Sequence, residues 1–389
     1  MSDTPEALAT PAGVQAYLED TAFASRTVDL LKGGYSAFTY RIHLRTPIDR
    51  RSTFVLKYTP SYAAASIGER HTDAAFCGTS GAEQKFEAEA FRLSRQLSIR
   101  SGEITVEVPA LRLYDEEKHV MIVDDAGTDA RTLKEILINE SLPTALLQEM
   151  GTALGYFLSH LHGLSECHDV DLSLFTNNEV GKMITAWMTY SRTVSTLTGK
   201  DEIPALSNPP LEISGEKLAA FSKLVEIRSR EIHSSTGSDV MTHGDFWPGN
   251  IMVCLRRGAN GTVEAVEKLY VVDWEVAKMG LPGLDLGQLC AELYLISRFY
   301  PRRKESAEAV ITSFLSTYRR CNNKVDPALA GVTVGHIGAH LVTLGPRISW
   351  GGREQTRKVV QEGVEMLTLG CTGSVSSLQE SIVGPLLSE

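Results

Sequence analysis

Two runs of residues in this chain have the types and spacing to do chemistry. In Met241-Thr242-His243-Gly244-Asp245-Phe246-Trp247-Pro248-Gly249-Asn250, an acid and an amide, Asp245 and Asn250, sit on a turn that leads into the apolar stretch Ile251-Met252-Val253. Further on, Leu269-Tyr270-Val271-Val272-Asp273-Trp274-Glu275 closes a second apolar stretch with two more carboxylates. Phosphoryl transfer calls for such a set: a carboxylate to take the proton of an acceptor hydroxyl, and oxygen ligands for the Mg2+ that accompanies ATP. The interval Asp-x-x-x-x-Asn is the one that separates base and metal ligand in phosphoryl-transfer loops. The spacing makes Asp245 a candidate base and Asn250 a candidate metal ligand, with Asp273 a further hard oxygen ligand of the kind Mg2+ prefers. Glu275, two residues on in an extended segment, projects on the same side as Asp273 and is a candidate for a second metal or for the acceptor.

Such residues need elements to hold them. Gly33-Gly34-Tyr35-Ser36-Ala37 precedes a stretch in which Phe38, Tyr40, Ile42 and Leu44 alternate with Thr39, Arg41 and His43, the pattern of a half-buried strand. After a turn over 47–51, Phe54, Leu56 and Tyr58 share one face of a second strand, and Val55 and Lys57 the other. Glycines before a strand let backbone N–H groups approach phosphates, which makes Gly33, Gly34 and Ser36 candidate nucleotide contacts. Lys57 is the candidate cation for the α- and β-phosphates and needs an acidic partner. A helix expected over 81–99 offers Glu83, Glu87 and Glu89, and its periodicity alone does not choose among them. Strands are expected at 106–109 and 119–123. Asp124 to Gly127 reads as a hinge, with Val123 and Asp124 beside the nucleotide. The rest reads as mainly helical, interrupted by a Pro-rich segment at 203–210 and by one hairpin, 251–255 with 269–272, whose ends carry the Asp/Asn and Asp/Glu pairs.

These residues resemble those of the aminoglycoside phosphotransferase and choline kinase family. Leu31-Lys32-Gly33-Gly34, Thr39-Tyr40-Arg41-Ile42, Phe246-Trp247-Pro248-Gly249-Asn250, Val272-Asp273-Trp274-Glu275, Leu284-Asp285-Leu286-Gly287 and Leu295-Ile296-Ser297-Arg298-Phe299 carry the likeness. Asp273-Trp274-Glu275 resembles the methylthioribose kinase branch, and the chain as a whole the fungal 4-hydroxytryptamine kinase-like enzymes. The resemblance implies an α+β, bilobal protein-kinase-like fold, with a small β-rich N-lobe over 1–124 and a larger, mainly helical C-lobe over 125–389. It also implies ATP as co-substrate, Mg2+ as cofactor and a small-molecule hydroxyl acceptor. It favours Glu87 as the partner of Lys57, and Asp285 as a buried brace of the catalytic loop, a role compatible with a helix N-cap. Ala37 departs from the pattern, standing where relatives often have Asn. Trp350, Arg353 and His340 fall in the region that closes the acceptor pocket in related kinases.

The 389 residues are 43% hydrophobic and 22% charged, an ordinary globular composition that suffices for two lobes. A formal net charge of -10 lacks the basic footprint of a nucleic-acid partner. Six scattered cysteines without a C-x-x-C pair suit a reducing compartment. The N-terminal residues do not read as a signal peptide and no apolar run reads as a membrane span, so a cytoplasmic location is expected. The alternative from another class is a catalytically silent nucleotide-binding pseudokinase or scaffold. Retention of Lys57, Asp245, Asn250 and Asp273 argues against it.

Overall fold

The computed structural model describes residues 5–31, 37–60, 84–93, 96–167, 169–234 and 239–388. Gly33, Gly34, Ser36, Glu83 and nearly all of the segment 60–82 lie outside the described residues. The chain divides into two compact units, Met1–Ser98 with Val108–Ala130, and Ile99–Glu107 with Arg131–Glu389. Ile99–Glu107, expected with the first lobe, thus belongs to the second unit, and 125–130 to the first.

The first unit is built on an antiparallel sheet of β1 (Ser25–Leu30), β2 (Phe38–Ile48), β3 (Arg51–Tyr58), β6 (Leu111–Asp115) and β7 (Val120–Asp124), in the order β1-β2-β3-β7-β6. The alternation read from the sequence decides its faces. Tyr40, Ile42, Leu44, Phe54, Leu56 and Tyr58 are buried with Val14 and Leu18 of the helix Pro11–Leu18. Lys57, one residue out of phase with them, points to the opposite face, where the helix Gln84–Arg92 supplies its partner. That helix is shorter than the expected 81–99. Ile99, read as its last residue, instead opens β4 (Ile99–Ser101), paired with β5 (Ile104–Glu107). β-branched Ile99, Ile104, Thr105 and Val106 favour that pairing over a helical C-terminus.

The second unit is mainly helical, as expected. Two small sheets pin its chemistry-bearing loops. One runs β4-β5-β11-β10-β8, with β8 (Arg131–Thr132), β10 (Ile251–Arg257) and β11 (Val263–Val271). The other pairs β9 (Val240–Thr242) with β12 (Lys278–Gly280). β8, β9 and β12 are two or three residues long, too short to show a period, and were not expected from the sequence. Between the helices Glu179–Thr185 and Thr193–Leu197 the chain makes a π-helical turn, Ala186–Ser191.

Beneath the β10–β11 hairpin lies an aromatic cluster. Phe157, on the helix Thr144–Gly163, stacks on Phe246 at 6.3 Å and meets Trp274 edge-on at 6.5 Å; Phe246 stacks on Phe314 at 6.3 Å. Gly155 lets the Thr144–Gly163 and Lys304–Cys321 helices close on each other, since a Cβ there would lie 2.3 Å from the Phe314 carbonyl. All four rings are fully buried. Phe157→Ala is expected to cost about 3–5 kcal/mol by removing the ring on which both loops rest. Urea denaturation measures it, and a loss below about 1 kcal/mol would contradict this packing role.

Candidate active site

The hairpin register brings the two motif runs together. Ile251 pairs with Val271, so the preceding and following residues also meet, and the Val272 N–H donates to the Asn250 carbonyl at 3.0 Å. Asn250 and Asp273 therefore leave the same end of the hairpin. A short 3-10 turn, Pro248–Asn250, folds Asn250 back under Asp245. The Asn250 amide nitrogen donates to the Asp245 carbonyl at 3.0 Å and to Asp245 Oδ2 at 2.8 Å. Both partners only accept, which fixes the orientation of the amide. The amide oxygen of Asn250 takes no part in these two bonds and is a hard oxygen of the kind a cation could bind. Oxygens of Asp273 and Glu275 lie within 4.8 Å of each other and add two carboxylates. This donor set fits Mg2+, which prefers oxygen ligands. Asp273 adopts a left-handed backbone with φ of 62°, a conformation costing a non-glycine residue roughly 1–2 kcal/mol, and one often kept where function requires it.

Asp245 is half-buried, and Gln288 Nε2 donates to its Oδ1 at 2.6 Å. Burial pushes its carboxyl up to about 6; Gln288 and Asn250 oppose the rise, and the charges of Glu275 and Asp273 add to it. A carboxylate titrating there can accept a proton near neutral pH. His243 holds the loop from within. Its Nε2–H donates to the Val272 carbonyl at 3.0 Å, and its Nδ1 accepts the Asp245 N–H at 3.2 Å. That pattern requires the neutral ring, and burial keeps the imidazole below its ordinary value against the pull of Asp285.

Asp285 anchors the loop. Its two oxygens accept the His243 N–H at 2.8 Å and the Gly244 N–H at 2.9 Å. The bracing role implied by the resemblance is what the geometry shows. The N-cap of the helix Pro282–Phe299 is Leu281 rather than Asp285. Behind it runs a buried chain that the sequence reading missed: Asn322 Nδ2 to Tyr318 Oη at 3.1 Å, Tyr318 Oη to His162 Nδ1 at 2.8 Å, and His162 Nε2 to Asp285 at 3.3 Å. Burial alone would raise the Asp285 carboxyl; His162 and the Gly244 N–H outweigh it and hold the group below its usual value. Gly244 has φ of +80°, and a Cβ there would lie 2.3 Å from the Val276 carbonyl, so only glycine fits.

In the first unit, Lys57 Nζ lies 2.9 Å from both carboxylate oxygens of Glu87, and both residues are buried. Glu89 pairs instead with Arg92. Val123 lies opposite Val55 on β7. The Asp124 carboxylate is held by Arg112 at 2.6 Å and Arg51 at 3.3 Å, so its side chain is occupied within the sheet.

A second group sits beside Asp245 in the larger unit. Glu292, one helical turn beyond Gln288, is buried and bonded to His340 Nε2 at 2.9 Å and, more loosely, to Lys134 Nζ at 3.4 Å. The Lys134 ammonium lies 3.9 Å from the ring centre of Trp350 and 5.0 Å from that of Trp247, and Trp350 stacks on Phe299 at 5.8 Å. Trp350 and His340 thus join this group. Arg353 is exposed at the start of the helix Arg353–Thr372.

Residues 27–321 match the model of the phosphotransferase enzyme family, and the chain belongs to that family of enzymes. It is 27% identical over 363 residues to a 4-hydroxytryptamine kinase of Psilocybe cyanescens, covering 92% of each chain. It is 26% identical over 340 residues to a 4-hydroxytryptamine kinase of Psilocybe cubensis, covering 87% of this chain and 85% of that one. Among solved structures it is similar to the choline kinase of Cryptosporidium parvum Iowa II, at 11% identity and a TM-score of 0.49, covering 94% of this chain and 98% of that one. No described helix is long and apolar enough to cross a membrane.

Asp285→Ala removes the acceptor of two backbone N–H groups and of His162 at once. It is expected to cost roughly 3–5 kcal/mol in chemical denaturation and to abolish turnover. A variant with unchanged stability would contradict the anchoring role.

Proposed function

We propose that this enzyme transfers the γ-phosphoryl group of ATP to a hydroxyl of a small, positively charged aromatic molecule. The observation that carries the transfer is the bonded pair Asp245–Asn250, with Asp273 and Glu275 at the same hairpin end. In this reading Asp245 takes the acceptor's proton, and Gln288 fixes the carboxylate so that one oxygen faces the hydroxyl. Asn250, Asp273 and Glu275 would hold Mg2+, which supplies positive charge to the phosphates as charge shifts between them. In the first unit, Lys57, held by Glu87, and the Gly33, Gly34 and Ser36 segment with Val123 and Asp124 would meet the nucleotide. Transfer itself is mainly positioning and charge stabilisation, which the anchored loop provides.

The acceptor's chemistry is supported by Glu292 and the indoles. Trp247 and Trp350 flank the Lys134 ammonium and offer indole faces to an aromatic acceptor, while Lys134 and His340 engage Glu292. A hydroxylated arylalkylamine is in keeping with the relatives named 4-hydroxytryptamine kinases.

Purified enzyme with ATP and Mg2+, offered hydroxytryptamines, amino alcohols and sugars, tests the proposal by mass spectrometry. A phosphate gain is expected on the aromatic amines, reduced at least about a hundredfold in Asp245→Asn. Phosphorylation of sugars alone would overturn the acceptor assignment. Nucleotide binding without transfer to any compound would favour the scaffold alternative. The pH profile gives a second check. Protonation removes the base, so kcat/KM is expected to fall as pH drops through about 6, where Asp245 titrates in the free enzyme. A flat profile between pH 5 and 8 would contradict that role.

A further inference from the structure

Beneath the Asp245 loop lies a lysine that neither the motifs nor the mechanism above uses. Lys278 opens β12, opposite Thr242 of β9, and its backbone carbonyl accepts the Thr242 hydroxyl at 2.8 Å. The side chain is only 2% exposed, and its ammonium sits 2.6 Å from the point a Gly244 Cβ would occupy. It therefore packs directly on the backbone between His243 and Asp245. Of its three protons, one donates to the Val276 carbonyl at 3.2 Å, and Nζ makes no other hydrogen bond among the described residues. A buried ammonium so poorly bonded is costly, and such a residue persists where its charge is needed.

The charged groups around it show what that charge acts on. Asp285, on the helix Pro282–Phe299, and Asp245, in the loop, favour the ammonium; Lys182, on the helix Glu179–Thr185, opposes it. Lys182 is engaged by Glu179 at 2.8 Å and by the Thr176 carbonyl at 2.8 Å. His336, on the helix Pro327–Thr343, also feels Lys278 and is kept neutral by burial. The second unit thus gathers Asp245, Asp273, Glu275 and Asp285 around one loop and faces that loop from below with the under-bonded Lys278 ammonium.

We propose that Lys278 is a positioning residue for phosphoryl transfer: its buried ammonium, seated on Gly244, is the counter-charge that holds the Asp245 loop in its reactive placement. The inference rests on the kinase reading and adds to it a residue that touches neither substrate. Burial brings the Lys278 ammonium down to about 8, so the counter-charge is present below that pH and lost above it.

The test uses the full-length enzyme and its best acceptor, with Lys278→Met and Lys278→Leu as variants. Each is expected to lower kcat at pH 7 at least tenfold, to leave KM for ATP and acceptor within twofold, and to keep or raise the thermal midpoint, because an apolar side chain removes an under-bonded charge. The unaltered enzyme is expected to lose kcat as pH rises through about 8, a limb both variants lack. Variants that match the parent in kcat and pH profile would overturn the proposal. So would variants in which kcat and the thermal midpoint fall together, because Lys278 would then only support the fold. If the unaltered enzyme transfers phosphate to no acceptor, it is the kinase reading that fails.

Discussion

The site depends on one buried carboxylate. Asp285 accepts consecutive backbone N–H groups of His243 and Gly244, the residues immediately before Asp245. Two hydrogen bonds from adjacent amides to the two oxygens of one carboxylate fix both position and direction of a backbone, which a single bond does not. Because Asp285 is 1% exposed, these bonds are made without competition from water. The His162–Tyr318–Asn322 chain then fixes Asp285 itself, tying the loop to helices distant in sequence.

That anchor lets the rest of the site be unfavourable. Four carboxylates stand near one another, Asp273 has a left-handed backbone, and Asp245 is partly desolvated. Each feature opposes folding, and each would serve the proposed centre, which receives a proton and attracts cations. The aromatic floor of Phe157, Phe246, Phe314 and Trp274 supplies the opposing burial. Neutral His243 contributes geometry and no charge, linking Val272 of one motif to Asp245 of the other.

Much of this was legible in the sequence where the signal was local. The strand alternation at 38–44 and 53–58 placed Lys57 on the face away from the core, where it is found. Asp245, Asn250 and Asp273 could be read together because a hairpin joins them at neighbouring ends. Glu87 needed the family likeness, since both edges of its helix carry glutamates. His162 and Tyr318 were hidden because their partners lie far along the chain and a histidine in an apolar helix has many uses. Gln288 and Glu292 could have been found: with Asp285 they are the only charged or amide side chains between Leu284 and Tyr294, spaced three and four apart on one helix face. Lys278 gives no such signal, because its three-residue strand has no period and its partners come from three other elements.

The central claim is that Asp245 serves as a base in one direct transfer from ATP to the acceptor hydroxyl. The stereochemical course at phosphorus tests it most directly, using ATP whose γ-phosphoryl group is made chiral with oxygen isotopes. A single in-line displacement predicts inversion of configuration in the phosphorylated product. Retention would require two displacements through a phosphorylated enzyme side chain and would contradict the account.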